Sequence, residues 1–159
     1  MTDYFLDASA AVKRYADEPG STWVRGITDL QARNTILLAE ITLAEVAAAI
    51  AAKHRAPKGI TLEQRDRILS RFLQDCEDQF VLLSIERSVI DRAVELAQRH
   101  RLRAYDAVQL ATALEANEIM HSQNLPGLIF VAADGDLLTA AAAEHLSIDN
   151  PLNYTHLDS

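Results

Sequence analysis

Apolar positions come in two rhythms along the chain. Short runs that are apolar throughout occur at Tyr4-Phe5-Leu6, Thr35-Ile36-Leu37-Leu38, Phe80-Val81-Leu82-Leu83 and Leu128-Ile129-Phe130-Val131, with a weaker one at Ser147-Ile148. Such runs fit strands buried on both faces. Between them, apolar residues recur at helical spacing, as in Ile68, Leu69, Phe72 and Leu73. The spacing predicts helices over 10–16, 21–30, 42–54, 61–78, 88–100, 104–118 and 137–145. Pro19-Gly20 and Pro57-Lys58-Gly59 supply breaks. Thr42-x-x-Glu45 has the form of a capping box at the start of the third helix. Strands alternating with helices imply an α/β fold with a mostly parallel sheet covered on both faces.

Length and composition narrow this further. The 159 residues suit one domain, read as 1–150, with 151–159 as an exposed tail. One cysteine, Cys76, rules out an intrachain disulfide and fits a reducing compartment. No apolar run reaches membrane-spanning length, and the opening Met1-Thr2-Asp3 lacks a signal-peptide pattern, so a cytosolic protein is expected. The net charge of −8 argues against a broad nucleic-acid surface, unless several acids share a cation that reverses the local sign.

The acids carry the candidate chemistry. In an open parallel sheet, sites form at the carboxyl ends of the strands. Asp7 ends the first strand, Glu45 lies in the first turn after the second, and Asp134 and Asp136 follow the fourth. Asp106 starts a helix that follows another helix, so pattern alone does not place it with the others. Each acid also has a bland role, as a helix cap or a first-turn charge. Together on one edge they would repel, and need raised pKa values or divalent cations. Carboxylates with waters and a phosphate suit Mg²⁺, which activates water for phosphodiester hydrolysis.

Four blocks of the chain resemble the PIN-domain family, in particular VapC-type toxins of toxin–antitoxin pairs. They are the opening Tyr4-Phe-Leu-Asp7-Ala-Ser9 with Asp17-Glu-Pro-Gly-Ser21, Thr42-Leu-Ala-Glu45, Arg103-Ala-Tyr-Asp106-Ala-Val-Gln-Leu-Ala, and Phe130-Val-Ala-Ala-Asp134-Gly-Asp136. The resemblance implies a PIN-like three-layer fold with a five-stranded parallel sheet in order 3-2-1-4-5. It implies an endoribonuclease dependent on Mg²⁺ or Mn²⁺, often a homodimer, restrained by a VapB-like antitoxin. Catalytic and metal-binding roles carry over to Asp7, Glu45, Asp106 and Asp134, with Asp136 a further ligand and Ser9 beside them. In one departure, Ala132 stands where many members carry Ser or Thr.

Basic residues near these blocks, Arg103, Arg101 and Lys13, are candidate contacts to RNA phosphates. Arg99 to Arg101 serve equally well as cations at a helix C-terminus. Tyr15 and Trp23 read as packing residues, and Cys76 as a small apolar filler. Two rivals remain. A phosphomonoesterase with Asp7 as nucleophile lacks a second acid two residues on, where Ser9 stands. A catalytically silent binding module would keep the scaffold without the reaction.

Overall fold

A computed structural model describes all residues, Met1–Ser159. Five parallel strands form one sheet: β1 (Asp3–Leu6), β2 (Thr35–Ala39), β3 (Val81–Leu83), β4 (Ile129–Val131) and β5 (Ser147–Asp149). Their order is β3-β2-β1-β4-β5, as the resemblance implied. The strands are short and apolar because both faces are covered. Along β1, Phe5 points into one core and Leu6 into the other.

The two cores explain the helices. On one face Phe5 stacks on Phe130 at 5.5 Å, beneath α5 (Arg87–Arg99), α6 (Ala104–Ser122) and α7 (Gly135–Ala143). On the other, Leu6, Ile36, Leu38 and Val131 meet α1 (Ala8–Ala11), α3 (Ile41–Arg55) and α4 (Leu62–Asp78). Cys76 is buried in this second core as a small apolar filler. No helix is long and apolar enough to cross a membrane.

Several expectations change. The first helix stops at Ala11 and tightens into a 3-10 turn over Val12–Arg14, with Tyr15 closing that turn. The helix α2 (Ser21–Ile27) ends before residue 30. The Thr28 hydroxyl bonds back to the Val24 carbonyl, and Asp29 caps a separate 3-10 turn. The capping box lies elsewhere than Thr42. Helix α3 already starts at Ile41, so Thr42 and Glu45 are inside it, and the box that forms is Thr61 with Gln64 at the start of α4.

Residues 151–159, expected as an exposed tail, are mostly exposed but strapped down. Pro151–Leu157 coil into a 3-10 helix. Tyr154 stacks flat on Trp23 of α2 at 4.5 Å, and its hydroxyl donates to Asp149. Asp158 accepts from the Gly20 and Thr22 amides. Gly20 is required here: its φ is +87°, and a Cβ would lie 2.5 Å from the Pro151 carbonyl oxygen.

Candidate active site

Asp7 is the residue where β1 hands over to α1. Its backbone is still extended, its amide pairs with the Val131 carbonyl, and its Oδ1 caps the next helix by accepting from Ala10 N at 3.0 Å. The same oxygen accepts from Ser9 Oγ at 2.7 Å. The side chain is buried, 5% exposed, with no Lys or Arg bonded to it. Burial therefore pushes its pKa up to about 7 against the pull of those two hydrogen bonds, and the charges of Glu45 and Asp106 push the same way. Ser9 also accepts from the Ala133 amide, so it ties the end of β1 to the loop after β4.

Glu45 lies one turn into α3. Its Oε2 accepts from Gln109 Nε2 at 2.8 Å, and that amide also donates to Thr42 Oγ1. Burial raises the Glu45 pKa, the Gln109 bond opposes it, and Asp106 adds to the rise. Gln109 was not singled out from the sequence. It is 2% exposed, and its Oε1 has no partner. Its spacing was the available signal: one turn after Asp106 on α6, it shares the acid's side of the helix. The packing of α6 on the sheet and α7 places Asp106 where its charge acts on Asp7 and Glu45, which pattern could not do.

Asp134 caps α7 through Oδ1, accepting from the Asp136 and Leu137 amides. Its Oδ2 faces Arg103 Nη2 at 3.7 Å. Asp106 Oδ2 accepts from Arg103 Nε at 3.1 Å. Asp136 is turned further out, 4.0 Å from Arg101. Arg101, Arg103, Asp106, Asp134 and Asp136 line one cleft of about 600 Å³. The remaining basic candidates are elsewhere engaged. Lys13, expected at RNA phosphates, is 5% exposed and pairs with Glu18 at 3.2 Å; reaching a phosphate would break a buried ion pair. Arg99 and His100 both hold Glu144.

The side chains present fit a hard divalent cation in kind: the acids expected at the site offer only carboxylate oxygens, and the most buried of them has no protein cation. No three acids are drawn together tightly enough to chelate an ion as they stand.

Comparison with known proteins bears on the fold and the family. Residues 4–143 match the PIN domain model. Ribonucleases VapC45 and VapC49 of Mycobacterium tuberculosis are each 32% identical over 142 residues, covering 87% of this chain and 89% of each relative. Among solved structures, FitAB bound to a DNA fragment superimposes with a TM-score of 0.63 at 17% identity, covering 94% of this chain and 95% of that one. VapBC2 from Rickettsia felis bound to its promoter DNA gives 0.62 at 17%, covering 94% and 98%. With the 3-2-1-4-5 sheet, the matched span of 140 residues and relatives that share a third of their sequence, the chain belongs to the PIN-domain family, VapC type.

Proposed function

We propose that this protein is a divalent-metal-dependent endoribonuclease, the toxin of a VapBC-like pair, with Asp7, Glu45, Asp106 and Asp134 as its catalytic acids. The observation that carries the reading is Asp7: a buried carboxylate at the end of the central strand, under the charges of Glu45 and Asp106, with no cation of its own. When bound, Mg²⁺ or Mn²⁺ supplies charge for the phosphodiester oxygens and acidifies a water. Asp7 and Asp106 would hold the ion, with Glu45 oriented by Gln109 and Asp134 by the α7 amides. Asp136 stands at the outer rim as a further ligand. Ser9 keeps Asp7 aimed by its hydrogen bond.

The curated relatives are named ribonucleases, which supports RNA as substrate. Toxin–antitoxin complexes among the structural relatives support a VapB-like antitoxin as partner. A homodimer in the cytoplasm completes the reading. Ile90 and Val94, both exposed on α5 one turn apart, offer an apolar contact for a second copy.

The test is cleavage of RNA by the purified chain with Mg²⁺, with Mn²⁺ and with chelator. Cleavage that needs the ion and is lost in Asp7→Asn and Asp106→Asn is the expected result. A folded, metal-loaded protein that leaves RNA intact would turn the reading to a silent PIN scaffold.

A further inference from the structure

Arg103 breaks the rules of the helix it precedes. It is the N-cap residue of α6, with φ −73° and ψ 162°, where a short oxygen-bearing side chain normally satisfies a free amide. Its side chain gives the helix no such bond, and a cation at this end opposes the helix dipole. Burial does not hold it either, since the side chain is 81% exposed. What holds it is the cleft. Nε donates to Asp106 at 3.1 Å, Nη2 lies 3.7 Å from Asp134, and Glu45 adds attraction. One guanidinium thus spans carboxylates from the starts of two helices, a reach that suits its flat fork better than an ammonium.

We propose that Arg103 is a resident counter-ion of the acidic cleft: it competes with the divalent ion for Asp106 and Asp134 and, once displaced, turns its fork to an RNA phosphate. This rests on the nuclease reading of the acids. The two tasks exclude each other, because the same N–H groups serve both. An exposed ion pair is weak enough to yield to a metal at millimolar concentration, whereas a buried clamp would block it. The freed guanidinium then stands in the cleft lining beside Arg101, where the two cations can meet a phosphate.

The experiment titrates Mn²⁺ against melting temperature without RNA, in wild type, Arg103→Ala, Arg103→Lys and Asp106→Asn. RNA cleavage at saturating Mn²⁺ follows. In Arg103→Ala the half-maximal Mn²⁺ concentration should fall about two- to fivefold, the size of a lost exposed pair. Its KM for RNA should rise with a smaller change in kcat, since a phosphate contact positions the strand. Arg103→Lys should show the first effect only in part. Tighter metal binding together with weaker RNA binding is not expected of a merely structural residue. An unchanged or higher metal midpoint in Arg103→Ala, or an unchanged KM, overturns the proposal while leaving the acid site intact. A melting temperature that ignores Mn²⁺ in wild type, or responds normally in Asp106→Asn, sinks the acid site and Arg103 with it.

Discussion

Two buried aspartates invite comparison. Asp75, on α4, is 7% exposed, much like Asp7. Its oxygens are saturated by its own chain: Arg14 Nε at 3.1 Å, Arg71 Nε at 3.0 Å and the Tyr15 hydroxyl at 2.8 Å. Arg14 is in turn locked by Thr28 and Gln79 and lies over the Phe80 ring. Burial, and then the Asp75 bond, push the Tyr15 hydroxyl above its ordinary range, so it stays a donor. Asp7 has a hydroxyl and one amide, and otherwise faces other acids. Equal burial therefore produces opposite outcomes. A carboxylate given cations by the fold is structural; one denied them is the carboxylate that the proposed function gives to a divalent cation.

The sharpest break of this comparison is activity. Asp7→Asn should lower RNA cleavage on the order of a thousandfold, several kcal/mol of lost charge stabilisation, without loss of fold. Asp75→Asn should leave cleavage per folded molecule near wild type. Equal losses in both would erase the distinction.

Next is the dependence on pH. The folded pKa of Asp7 is raised from 3.8 to about 7, so folding favours its protonated form. Its contribution to stability is full below pH ~4 and is lost as pH rises to about 7. At ~1.4 kcal/mol per pH unit, the loss reaches at most about 4 kcal/mol. Asp7→Asn lacks this term. Melted in chelator, it should gain on wild type steadily from pH 4 to 7 and hold the gain above. A difference that stays flat across that window would mean Asp7 is ionised throughout.

Asp75→Asn should cost roughly 3 kcal/mol by stranding Arg14 in the interior. At about 2–4 °C per kcal/mol for a chain of this size, melting drops by some ~6–12 °C. Asp7→Asn in chelator at pH 8 should move the other way, upward. A stable Asp75→Asn variant would show that Gln79 and Thr28 suffice for Arg14.

The smallest effect concerns the support of Glu45. Gln109→Leu removes the amide that donates to Glu45 and Thr42, and also the unpartnered Oε1. Cleavage should fall about tenfold, as for loss of a residue that aims a ligand, and the Mn²⁺ midpoint should rise. Wild-type metal affinity in this variant would leave Gln109 as a packing residue only.

Much of this was readable in the sequence, for local reasons. Strands buried on both faces are apolar without a break, so β1, β2 and β4 stand out. In a parallel sheet the residue leaving a strand must lie at the carboxyl edge, so Asp7 and Asp134 fall on the same edge whatever the packing. The family resemblance then added Asp106 and the strand order, which periodicity does not contain. Where local reasoning failed, a local rule lost to a long-range contact. Thr42-x-x-Glu45 satisfies the capping pattern, but α3 begins earlier and Gln109, 64 residues from Glu45, claims both side chains.

What the sequence by itself determined is the set of strands, the helices that cover them, and the acids at their ends, because each depends on residues a few positions apart. Only the tertiary structure decided which charges meet. Lys13 turned inward to Glu18, Arg14 reached Asp75 across 61 positions, the final segment locked onto Trp23, and Arg103, already one turn from Asp106, came within reach of Asp134. Those pairings follow from how helices pack on a twisted sheet. A charge's partner is set by distance and burial in three dimensions, and neither is written in the spacing of the chain.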